Sequence, residues 1–129
     1  MGSAGPILVV DDDRAILEYI QLALEDAGYA VVVATDGAAA LEAVGRHQPG
    51  LILLDLRMPG MNGWEFAEAY RRRQRQPAPI LMMTAGHDAP AKASEIGAAE
   101  WLGKPFDVDQ LLEAVGRLVD PPAASSPPG

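Results

Sequence analysis

The stretch "PILVVDDDRAIL", Pro6 to Leu17, carries the first structural signal. Four apolar residues, Ile7 to Val10, run directly into three aspartates, Asp11, Asp12 and Asp13. Two unit charges about 4 Å apart interact by about 4 kcal/mol at an effective dielectric of about 20. An apolar strand that ends in this way needs a source of positive charge close by.

Similar apolar runs recur along the chain. They are "AVVVAT" (Ala30–Thr35), "LILLD" (Leu51–Asp55), "ILMMT" (Ile80–Thr84) and a weaker fifth, "EWLGK" (Glu100–Lys104). The first four, counting Ile7–Asp11, are nearly continuous instead of alternating, a pattern that suits strands buried on both faces of a parallel sheet. Helical patterns lie between them. Arg14–Ala27 sets Ile16, Leu17, Ile20 and Leu24 on one face and stops at Gly28. Gly37–His47 is Ala-rich and ends before Pro49, and Trp64–Arg75 ends in a basic cluster that suits the negative end of a helix dipole. Asp88–Ile96 is a shorter segment closed by Gly97, and Val108, Leu111, Leu112, Val115 and Leu118 form a stripe in the last helix. Strand and helix alternate throughout, which predicts an α/β fold, doubly wound, with helices on both faces of a five-stranded parallel sheet.

The composition narrows the function. The chain has 129 residues, enough for one domain with a real core. Its formal net charge of −8 disfavours direct binding of nucleic acid or an anionic membrane. There are no cysteines, so disulfides and thiolate metal sites are excluded. No apolar run approaches the roughly 20 residues of a membrane span, and "MGSAGP" lacks the features of a signal peptide, so the expected location is the cytoplasm. Residues 120–129, "DPPAASSPPG", read as a flexible tail or linker following a domain over residues 6–119.

In a parallel sheet all strand C-termini share one edge, and ligands bind there. Asp11 and Asp12, Asp55, Thr84 and Lys104 all follow apolar runs, so they converge on that edge. Three carboxylates without Cys or a neighbouring His form a hard-oxygen site suited to Mg²⁺. A Lys ammonium and a Thr hydroxyl suit an anion, and together with the metal they outline a phosphoryl site. One carboxylate can then act as nucleophile, and Asp55 is the best placed.

At these positions the sequence resembles the response-regulator receiver domains of bacterial two-component systems, in particular the chemotaxis-regulator type. The motifs are "ILVVDDD", "LILLDLRMPGMNGWE", "ILMMTA" and "WLGKPF", in that order, and the resemblance spans roughly Pro6 to Val119. It implies a flavodoxin-like strand order 2-1-3-4-5. It implies that Asp11 and Asp12 hold Mg²⁺ together with Asp55 and the backbone carbonyl of Arg57. Asp55 matches the phosphoacceptor, Thr84 the switch hydroxyl, Lys104 the phosphate-binding lysine, and Lys104–Pro105 a bond that is usually cis. Trp101 stands where the family usually has the Tyr or Phe that moves on activation, and it is expected to report the switch by a small displacement, into a slot beside Thr84 that opens when the hydroxyl moves. The segment between Thr84 and Lys104 is slightly shorter than usual, which implies a short or irregular fourth helix. The implied partners are a sensor histidine kinase or phosphotransfer protein, an effector domain or downstream protein, and a second copy of the chain on activation. On this reading the domain is a phosphorylation-dependent signalling switch and not an enzyme, beyond its own phosphorylation and dephosphorylation.

Two other functions share part of this pattern. A haloacid-dehalogenase-like phosphatase would use Asp11 as nucleophile, since "DDDRA" contains Asp-x-Asp after a strand, but Ala15 replaces the usual Thr or Val. An unphosphorylated interaction module would not need the complete set of site residues. No Gly-x-x-x-x-Gly-Lys phosphate loop occurs. Several residues have plainer readings: Asp13 as a helix N-cap, Gly60 and Gly63 as turn residues, Arg71, Arg72, Arg73 and Arg75 as a solvated helix end, and His47 and His87 as surface residues.

Overall fold

A computed structural model describes residues 5–58 and 60–119. The tail expected over residues 120–129 lies outside the described residues. Ten elements alternate along the chain: β1 (Ile7–Val10), α1 (Arg14–Asp26), β2 (Val31–Ala34), α2 (Gly37–His47), β3 (Leu51–Asp55), α3 (Gly63–Arg73), β4 (Ile80–Thr84), α4 (Ala89–Ile96), β5 (Glu100–Gly103) and α5 (Val108–Leu118). The strands form one parallel sheet of order β2-β1-β3-β4-β5. This is the doubly wound, flavodoxin-like arrangement expected from the sequence.

The continuous apolar runs are explained by two cores, one on each face. Leu8, Val10, Ile52, Leu54, Ile80 and Met82 face α2, α3 and α4, where Val44, Phe66, Tyr70 and Ile96 meet them. The alternate residues Ile7, Val9, Leu51, Leu53, Leu81 and Met83 face Leu17, Ile20 and Leu24 of α1 and Leu111, Ala114 and Val115 of α5. Side chains alternate between faces along a strand, so apolar positions must be consecutive when both faces are covered. Fully burying one such side chain contributes about 1.5–3 kcal/mol relative to leaving it exposed.

The strand "AVVVAT" departs from the expectation of burial on both faces. β2 is shorter than the apolar run, Val31 and Val32 are only partly buried, and Val33 is exposed. β2 is an outer strand, paired with β1 alone, so half of its surroundings are missing. Sequence pattern alone does not distinguish an edge strand from a central one.

The basic end of α3 also differs from the solvated cluster expected. The helix stops at Arg73, and Arg72, Arg73 and Arg75 are exposed. Arg71 is partly buried, and its guanidinium donates to the backbone carbonyls of Ile96 and, at 2.9 Å, Gly97. These carbonyls close α4, so a side chain of α3 satisfies acceptors that a helix end leaves free. Gly97 has φ +73°, and a Cβ there would lie 3.0 Å from the Arg71 guanidinium. His47 and His87 are exposed.

Candidate phosphoacceptor and metal site

The C-terminal edge of the sheet gathers the polar residues that end β1, β3 and β4. Asp11 follows β1 directly and is completely buried. One carboxylate oxygen accepts from the Asp13 backbone N–H at 2.9 Å, and the other accepts from the Lys104 ammonium at 2.9 Å. Asp12 is exposed. Asp13 is the N-cap of α1, accepting from the backbone N–H groups of Ala15 and Ile16. The three consecutive aspartates therefore have three different surroundings: a buried ion pair, an open carboxylate and a helix cap.

Asp55 is the last residue of β3 and is buried. The turn after it is held tightly. The Gly63 N–H donates to the Leu56 carbonyl at 3.1 Å, and a Cβ on Gly63 would lie 2.9 Å from Leu56 Cα. Only a glycine lets the start of α3 approach so closely, and that approach fixes the backbone beside Asp55. An Asn62–Glu65 capping box then starts the helix.

Oxygen atoms of Asp11, Asp12 and Asp55 all lie within 4.8 Å of one another. Lys104 Nζ sits against two of these residues, 2.9 Å from Asp11 and 3.3 Å from Asp55. The ammonium expected to hold an anion is in direct contact with carboxylates expected to hold the metal. One ammonium bridges Asp11 and Asp55, because β5 is the outer strand beyond β4 and the long Lys104 side chain reaches back across the sheet edge. The Lys104 N–H also donates to the Thr84 carbonyl at 2.8 Å, which fixes where the side chain starts. The Lys104–Pro105 peptide bond is cis.

The electrostatics follow from this crowding. Burial pushes the Asp55 carboxyl up, and the neighbouring Asp11 charge pushes it further. The Lys104 charge and hydrogen bond, and the backbone N–H of Arg57, oppose but do not cancel the rise. Burial would pull the Lys104 ammonium down. The hydrogen bond to Asp11 and the charges of Asp55 and Asp11 outweigh it, so Lys104 is held above its ordinary value.

A cavity of about 330 Å³ opens over this edge. Asp11, Asp12, Asp55, Arg57, Thr84 and Lys104 line it, so six of the expected site residues share one space. The Thr84 hydroxyl is buried with its residue and accepts from the Gly86 N–H at 3.3 Å. It still has a proton to donate towards the cavity. Trp101 is not among the lining residues. It pairs with Met82 in the sheet, on the face shared with Thr84, and is 44% exposed. The indole that does line the cavity is Trp64, from the second position of α3. Lys92 from α4 lines it as well. Neither stood out in the sequence, because each sits inside a helical segment and not after an apolar strand.

Residues 7–116 match the response regulator receiver domain family, and the chain belongs to that family. It is 36% identical over 130 residues to the transcriptional regulatory protein FixJ of Bradyrhizobium diazoefficiens, covering 97% of this chain and 63% of FixJ. It is 39% identical over 118 residues to the DNA-binding transcriptional regulator NtrC of Escherichia coli K12, covering 89% of this chain and 25% of NtrC. The chain therefore spans only part of these relatives. Among solved structures it is similar to the Vibrio cholerae chemotaxis response regulator CheY4, with a TM-score of 0.83 at 36% identity, covering 91% of this chain and 100% of that one. Residues 7–116 form a receiver domain of two-component response regulators, a signalling class. Nothing in the site favours the phosphatase alternative.

Proposed function

We propose that Asp55 is the phosphoacceptor of a signalling switch formed by residues 6–119. The observation that carries this reading is the shared cavity, in which Asp55 faces an exposed carboxylate, a buried hydroxyl and an ammonium. An Asp55 oxygen attacks the phosphorus of a phosphohistidine on a sensor kinase or phosphotransfer protein. The P–N bond breaks, the imidazole nitrogen keeps the electron pair, and an acyl phosphate forms. Three oxygen donors with no nitrogen or sulfur suit a hard cation, and Asp11, Asp12, Asp55 and the Arg57 carbonyl would hold Mg²⁺. Bound there, the ion supplies charge neutralisation for the phosphoryl oxygens.

Lys104 then pairs with the phosphoryl group, and the Thr84 hydroxyl donates to it. Phosphorylation adds about two negative charges at pH 7. To turn a 1:99 population into 99:1 it must favour the active arrangement by about 5.5 kcal/mol. A few charge-assisted hydrogen bonds in a buried site are of that size. The change is read on α4, β5 and α5 by an effector domain, a downstream protein or a second copy of the chain. Trp101 lies on that surface and takes part in the readout, not in binding the phosphoryl group. Among the described residues no helix is long and apolar enough to cross a membrane. The proposed location is the cytoplasm.

The test is uptake of one phosphoryl group from acetyl phosphate with Mg²⁺, followed by intact mass. Asp55→Asn should take up none, and wild-type uptake by that variant overturns the assignment. Mg²⁺ at about a hundred times its Kd should also stabilise the fold by about 2.7 kcal/mol. Asp12→Ala should lose this increment, and an equal response would remove Asp12 from the metal set.

A further inference from the structure

Lys92 is a cation in a place that helix electrostatics disfavours. It lies in the first turn of α4, with its N–H donating to the Asp88 carbonyl. The N-terminal end of a helix carries partial positive charge, so a Lys there is on the wrong side of the dipole. α4 also lacks the usual compensation. No acidic residue occupies its first turn, and its N-cap, Asp88, makes no side-chain hydrogen bond. Such local conflicts concentrate at functional sites.

The Lys92 side chain goes towards the acidic cavity. It lines the space that holds Asp11, Asp12 and Asp55, and its ammonium is 3.5 Å from where a Cβ on Gly86 would stand. The ammonium is thus folded back over the β4–α4 connection, whose Gly86 N–H is bonded to the Thr84 hydroxyl. Among the described residues no ion pair engages it. Lys104 reaches the carboxylates from the end of β5, while Lys92 lines the same cavity from α4.

We propose that Lys92 is a second phosphoryl-binding cation, which draws the first turn of α4 onto the modified Asp55. The inference rests on the Asp55 reading. On phosphorylation the cavity gains about two negative charges. The Lys92 ammonium is long and flexible enough to follow them. Because it is anchored on α4, its movement transmits the modification directly to the helix, in addition to the route through Thr84. The residue positions α4 against the phosphoryl group and does not take part in the transfer itself.

The experiment is titration of the full chain with beryllofluoride in Mg²⁺, a mimic of the phosphoryl group. Lys92→Met should bind it about fivefold more weakly, equivalent to about 1 kcal/mol. Lys92→Arg, which keeps the charge, should recover most of the affinity. Amide hydrogen exchange should show α4 protected by the mimic in wild type and less so in Lys92→Met. Circular dichroism of the unliganded variants serves as the check on folding, and Lys92→Gln is a second neutral variant. Wild-type affinity and wild-type α4 protection in both neutral variants would overturn the proposal, as would failure of Lys92→Arg to differ from Lys92→Met. A wild-type chain that ignores the mimic, or an Asp55→Asn that binds it, instead removes the Asp55 reading and this inference with it.

Discussion

The Lys104 ammonium lies 2.9 Å from the Asp11 carboxylate, joining residues 93 positions apart in the chain. Asp11 is fully buried, so this contact is what makes its charge tolerable. A buried pair contributes little net stability compared with apolar packing, but removing one partner strands the other.

Lys104→Ala should therefore destabilise the protein by about 3 kcal/mol in a chelator-containing buffer. Saturating Mg²⁺ should recover a large part of the loss, because a cation replaces the missing positive charge beside Asp11 and Asp55. Urea unfolding with and without Mg²⁺ measures both. A loss that Mg²⁺ leaves unchanged would show that the ammonium and the metal do not answer the same carboxylates.

Asp55 makes a prediction about pH. Its carboxyl is raised by burial and by Asp11, so its folded value lies above the unfolded one of about 3.9. Its contribution favours the fold below about pH 4 and is lost as the pH rises through the folded value. Asp55→Asn carries no such charge. In metal-free buffer its melting temperature should gain on that of wild type between pH 4 and pH 7. A difference that is flat or reversed across this range would contradict the rise.

Arg71 couples α3 to α4. Arg71→Ala leaves the Ile96 and Gly97 carbonyls without their donor, and the expected cost is about 1–2 kcal/mol. Hydrogen exchange should rise in α4 more than in α1. Uniform change across the molecule would mean that the contact does not specifically hold the helix.

The two indoles should respond differently to metal. Trp64 lines the cavity beside Asp12, whereas Trp101 is on the surface of β5. Mg²⁺ should alter the emission of Trp101→Phe, which retains Trp64, and should leave that of Trp64→Phe nearly constant. The reverse pattern would place the metal response on β5.

Most of the fold could be read from the sequence. Five apolar runs separated by helical stripes of the right length leave few alternatives, since the central runs β1, β3 and β4 are buried on both faces and each crossover is right-handed. Asp11, Asp55 and Thr84 could be placed on one edge because each follows such a run directly. Asp13 as an N-cap was legible for a local reason, since a cap is decided by neighbours in the chain.

What only the tertiary structure decided depends on distances between segments. The exposure of Val33 follows from which strand lies outermost, and the chain order does not state that. Arg71 looks like any other arginine in a basic run until α4 ends against it. Lys104 bridges Asp11 and Asp55 because its side chain spans the sheet edge, and Trp64 and Lys92 enter the cavity because α3 and α4 start beside it. Sequence pattern records which face of an element is buried. It does not record which polar side chains from different elements are brought within a few ångströms, because long-range packing sets those distances.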